Sequence, residues 1–152
     1  LQSTEEAGAR KISISVAYSD ETGTPIPDIT SMAQGTDFTA KVTITHLKEE
    51  QRTYNEIALD QIFPSGWEIL NHRLDGTNPG GDRPEYQDIR DDRVYTFFDL
   101  QYGKSMTFNI RLNASYQGRY YLPAVSAHAM YDNGIYARNT GKWVNVVPAE
   151  GQ

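Results

Sequence analysis

Three observations predict an all-β chain, an antiparallel two-sheet β-sandwich of the immunoglobulin or fibronectin type III kind. About seven short segments alternate apolar and polar residues with a period of two. Turn residues separate these segments at short intervals, as sandwich strands require. No window carries apolar residues at i, i+3, i+4 and i+7 over three turns, so little helix is expected. A β-barrel is the alternative closure. A chain of 152 residues fits one domain, and at that length roughly 68–70% of the unfolded surface can be buried.

Residues 1–10, LQSTEEAGAR, read as a linker or frayed lead-in. They begin at Leu1 and read as a cut from a longer protein. The domain proper is expected over 11–147, with 148–152 as a tail. Residues 11–18 place Ile12, Ile14, Val16 and Tyr18 on one face. Residues 20–35 hold Gly23, Pro25, Pro27 and Gly35 and read as a loop. In 36–46, Phe38, Ala40, Val42 and Ile44 point in and threonines point out. Residues 48–55 read as a charged turn, and 56–63 as an apolar but less regular strand with Ile57, Leu59 and Ile62. The stretch 72–85 is rich in Gly and Pro and reads as the longest loop. A short strand is expected near 86–90. Alternation then returns in 93–101 (Val94, Thr96, Phe98, Leu100) and in 105–115 (Met106, Phe108, Ile110, Leu112, Ala114). Residues 118–131 read as one long strand with two semi-apolar faces. Asp132, Asn133 and Gly134 tolerate positive φ and are expected to form the turn after it. The last strand is expected over 142–147.

The net charge of −6 lacks the basic stripe that a nucleic-acid partner needs, and lacks a polybasic membrane patch. Direct membrane contact by this domain is not expected. No cysteine is present, which excludes disulfides and thiol nucleophiles within the chain. Ten tyrosines suit half-buried sheet faces, ring inside and hydroxyl wet.

No catalytic, cofactor or metal site is expected. His46, His72 and His128 stand in no HxxxH or HxH spacing and read as surface or strand-face residues. Asp88, Asp91 and Asp92 are interleaved with Arg90 and Arg93, which reads as a self-paired turn rather than a calcium loop. Asp60 and Asp99 read as outward strand residues that nothing brings together for hydrolysis. GxSxG and phosphate-cradling glycine loops are absent. Asn113-Ala114-Ser115 matches a glycosylation acceptor, a frequent chance triplet. Met130 and Tyr131 differ from these. Edge packing would explain them, but Met adapts to irregular partners and Tyr offers area with a polar tip, so they are the candidate interdomain contact.

Several runs, in order, resemble one family. DIRDDRVYTFFD (88–99) is similar to the "RDDR" strand of the bacterial alpha-2-macroglobulin family. GRYYLPAV (118–125), AMYD (129–132), YAR (136–138) and GKWV (141–144) are similar to its later strands. FPSGWEI (63–69) resembles its "LPxGfEI" turn, with Phe63 for Leu. The resemblance spans about 11–147 and implies the C-terminal macroglobulin domain, equivalent to the receptor-binding domain of vertebrate relatives. It implies a non-enzymatic module of a broad-range protease inhibitor in the bacterial envelope, periplasmic or anchored at the outer membrane through the parent. Its partners would be other domains of one large parent chain and, through the parent, trapped proteases. It also implies that Met130 and Tyr131 keep water from a thioester held in another domain. An autonomous adhesion or carbohydrate-binding sandwich is the alternative, with tyrosines stacking on sugars.

Overall fold

The computed structural model describes residues 7–70 and 84–149. Among them run thirteen strands: β1 (Gly8–Arg10), β2 (Ile12–Asp20), β3 (Ser31–Ala33), β4 (Asp37–His46), β5 (Tyr54–Ile62), β6 (Trp67–Ile69), β7 (Tyr86–Ile89), β8 (Arg93–Leu100), β9 (Ser105–Ala114), β10 (Gly118–Leu122), β11 (Ser126–Ala129), β12 (Asp132–Arg138) and β13 (Lys142–Val147). They form a four-stranded sheet, β2-β4-β9-β6, a six-stranded sheet, β1-β12-β11-β5-β8-β7, and a three-stranded sheet, β10-β13-β3. All pairings are antiparallel except β13 with β3.

Two core clusters show how these sheets make two layers. The first joins Ile12, Val42, Ile44 and Phe108 of the four-stranded sheet to Ile57, Leu59, Phe98 and Ala127 of the six-stranded sheet. The second joins Phe38, Ala40, Ile110 and Leu112, further along the same strands, to Met32, Leu122, Val144 and Val146 of the three-stranded sheet. The four-stranded sheet is therefore one layer, and the other two sheets share the opposite layer. Alternation is what builds this. In β4, Phe38, Ala40, Val42 and Ile44 are each at most 2% exposed. On its other face Thr43 meets Thr107 at 3.1 Å and Thr45 meets Ser105 at 2.8 Å across the β9 ladder. The sandwich and the inward residues of β4, β8 and β9 match expectation.

The expected strand over 118–131 divides in two. β10 pairs with β13 and β11 pairs with β5, so the chain changes sheets between them. Pro123 sits at the change because it has no N–H to give to a ladder. Residues of the lead-in also enter the fold: Gly8–Arg10 pairs with β12 as an edge strand. Ser31–Ala33, expected as loop, pairs with β13. In β5 the inward residues are Tyr54, Ile57, Leu59 and Gln61, while Ile62 is only half-buried. The cause is a bulge, where Asn55 and Glu56 together oppose Asp99 and reset the alternation. Most of the expected loop 72–85 lies outside the described residues.

One glycine is required by contact. A Cβ on Gly66 would lie 2.2 Å from the Tyr120 ring. Its carbonyl also accepts the amides of Ser115 and Tyr116. Gly66 lets β6 enter directly beneath that ring.

Candidate functional site: the β11–β12 tip and its support

Met130 and Tyr131 form the two-residue turn between β11 and β12, closed by the Ala129–Asp132 pair. The turn thus falls ahead of the expected Asp132-Asn133-Gly134. Those residues open β12, where the register jumps from Ala129–Asp132 to His128–Tyr136. The reason is local. Asp132 Oδ1 accepts the Gly134 amide at 2.9 Å, so the Asx chemistry shapes a bulge rather than the reversal itself. Met130 is 44% exposed and Tyr131 81%. Their backbone is nevertheless fixed, because the Met130 amide donates to the Glu56 carbonyl at 3.0 Å.

A relay of side chains crosses the end of the sandwich to reach this turn. It begins at His46, which is 2% exposed: of the two expected placements, surface or strand face, it takes the strand face, on its buried side. The Lys48 amide donates to its Nδ1 at 3.0 Å, which makes Nδ1 an acceptor. Nε2 therefore carries the proton and donates to the Arg52 carbonyl at 2.9 Å. The imidazole stacks on Tyr54 with centroids 4.0 Å apart, and the Arg52 guanidinium covers the Tyr54 ring at 5.0 Å. Arg52 Nη2 then donates to Asp132 Oδ2 at 3.0 Å and to Glu50 Oε1 at 2.9 Å. Lys11 completes the set with an ion pair to Glu50 at 3.3 Å.

Electrostatics follow from this geometry. The Gly134 amide first, and then Arg52 and Lys11, hold the Asp132 carboxyl below its ordinary value. Burial works the other way at Glu50, yet Lys11 and Arg52 still hold it low. On the far side of the turn, Asp99 Oδ1 accepts the Glu56 amide at 2.9 Å. The hydrogen bond and charge of Asp99 push the Glu85 carboxyl up. The Glu56 residue is thus held at both ends, by Asp99 at its nitrogen and by Met130 at its oxygen.

The backbone is strained in the same corner. Lys11, Lys48 and Glu56, with φ of 72°, 65° and 58°, are the non-glycine residues at positive φ among those described. Each such residue costs on the order of 1 kcal/mol and persists only where its surroundings hold it. All three belong to the relay or to its immediate anchors.

The other sequence candidates do not converge. His128 stands on the outer face of β11, opposite Tyr136 and Ala58, and His72 lies outside the described residues. Asp60 is opposite Tyr95, four residues along β8 from Asp99, so the two carboxylates are about 13 Å apart along the strand. Asp88 pairs with Arg90 and Asp92 with Arg93, as the interleaving predicts. Asn113 spends its Nδ2 on Gly35 O at 3.2 Å and Asp37 Oδ1 at 2.6 Å, which leaves it poorly placed as a glycan acceptor.

The family model described as the bacterial alpha-2-macroglobulin MG10 domain matches residues 12–133. The chain belongs to this family. Among curated relatives, an alpha-2-macroglobulin homolog from Yersinia pestis is 27% identical over 180 aligned residues, covering 100% of this chain and 8% of the relative. The MG10 chain described here thus spans under a tenth of the length of that relative. A structure of native Escherichia coli alpha-2-macroglobulin from domain MG7 to the C-terminus superposes with a TM-score of 0.83 at 15% identity, over 97% of this chain and 25% of that one. Salmonella alpha-2-macroglobulin reacted with methylamine gives 0.81 at 19% identity, over 96% and 10%. These likenesses show the same sandwich fold.

Proposed function

We propose that this MG10 domain is a non-catalytic C-terminal module of a broad-range protease inhibitor in the bacterial envelope, and that its Met130–Tyr131 tip packs on a neighbouring domain of the parent. There the tip keeps water from a thioester. The observation that carries this reading is the combination at the tip: an apolar pair largely exposed, Tyr131 at 81%, on a backbone pinned from both flanks. A thioester survives where water is excluded, and a Met-Tyr wedge excludes water without chemistry of its own. Proteases reach the parent's trap and not this domain. The alternative of a sugar-binding module would draw on exposed tyrosines such as Tyr121 and, beside it, on Trp143, which is 51% exposed. Its ring already carries the Arg119 guanidinium at 4.5 Å and the edge of Tyr121 at 5.4 Å, an arrangement that favours the contact reading.

The test replaces both tip residues by Ala in the parent and follows inactivation by methylamine. Faster inactivation, on the order of tenfold for about 1.4 kcal/mol of lost shielding, is expected. An unchanged rate would end the shielding role. A glycan array on this domain addresses the alternative, with selective sugar binding counting for it.

A further inference from the structure

We infer that Arg52 is the residue that positions the Met130–Tyr131 tip, acting through Asp132. Three contacts set it apart from an ordinary surface arginine. Its carbonyl is held by His46, its guanidinium lies on the Tyr54 ring, and Nη2 bridges Glu50 and Asp132. The side chain is ordered before it meets Asp132, so less rotamer entropy is lost in making that bond. Asp132 in turn uses both oxygens, one on Arg52 and one on the Gly134 amide, and it is the residue directly after the tip. One carboxylate thus ties the tip to the bend ahead of β5, eighty positions away in sequence, from Arg52 to Asp132. Arg52, Asn55, Tyr131, Asp132 and Ile135 line a cleft of about 240 Å³, so the same arginine also shapes the floor beside the Tyr131 ring.

This arrangement separates two ways of holding the tip. The Met130–Glu56 bond alone would fix its first residue. The Arg52–Asp132 bond fixes the residue after its last, which is what sets the direction in which Tyr131 leaves the sheet. The inference rests on the tip being a contact only for its purpose; the geometry stands without that reading.

Amide hydrogen exchange in this chain tests it. Arg52→Ala is expected to speed exchange at the hydrogen-bonded amides of Met130 and Gly134 about three- to fivefold beyond any change at the core amides of Leu59 and Phe98, the range for a half-exposed ion pair. Asp132→Asn keeps an acceptor for Gly134 while removing the charge, and should give the same excess. The double variant should show no more than either single one, because both break one bond. Absence of a local excess in either single variant, or additive effects in the double, would overturn the inference. The readout is the tip itself, so loss of shielding in the parent and loss of positioning here are distinguishable results.

Discussion

At the β3–β13 end of the sandwich the layers meet through a cluster of rings; toward the β11–β12 turn Phe98 still meets Phe108 at 5.0 Å, and a chain of charges is added. The first end buries Trp67 against Phe38 at 4.9 Å, with Tyr18 and Phe63 each at 6.3 Å. The second end reaches its tip through Lys11, Glu50, Arg52 and Asp132, side chains that are all partly open to solvent. Apolar contact is strong and non-directional, whereas half-exposed ion pairs are individually weak but fix direction. The division of labour follows. Both ends carry an apolar core, and the direction of the tip is set by the charges added at its end.

The largest effect that would break this comparison is in the ring cluster. Trp67→Ala should cost about 3–5 kcal/mol, the range for removing a large buried aromatic, read as a lower urea midpoint. A loss below about 1 kcal/mol would mean the cluster is not the anchor described here. The indole Nε1 has no hydrogen-bond partner among the protein atoms described, so the loss would come from packing and not from a broken bond.

A second test sharpens the electrostatic half by sign. Glu85 is pushed up by its hydrogen bond to Asp99 and by the charge there. A carboxyl raised on folding holds its proton more tightly in the folded state. Its stabilisation is complete below the unfolded value of 4.5 and is lost as pH rises through the folded value. Denaturation midpoints should therefore fall as pH rises above about 4.5, and Glu85→Gln should flatten that part of the profile. Asp132 runs the opposite way. Held low by the Gly134 amide and then by Arg52, it contributes fully above 3.8 and loses its contribution only as pH falls further.

These two halves were not equally legible in the sequence. The ring end is built from alternating strands, and Phe38, Ile110 and Leu112 can be placed by period two alone. The tip end depends on a bulge at Asn55 and Glu56, which hides Tyr54 as a core residue behind a charged run. It also depends on the Arg52–Asp132 pair, which no local pattern connects. Met130 and Tyr131 were legible as an exposed pair by residue type. Their place in the turn was not, because Asp-Asn-Gly suits a bulge as well as a reversal, and only tertiary pairing decides between them. The burial of His46 is hidden for a related reason. It ends β4 on the inward register, and its burial depends on Tyr54 closing over it from another strand.

The smallest expected effect is the most telling. Ala at both Met130 and Tyr131 should leave the stability of this domain within about 0.5 kcal/mol of the original, as for exposed positions away from packed features. Chemical denaturation measures it. The tip's hydrogen bonds run through backbone atoms of Met130 and through Asp132, all of which survive the substitution. A domain that fixes the direction of two side chains it does not need for its own stability is shaped toward something outside itself. If the double variant instead lost 2 kcal/mol or more, the pair would belong to the fold, and the contrast between the two ends would disappear.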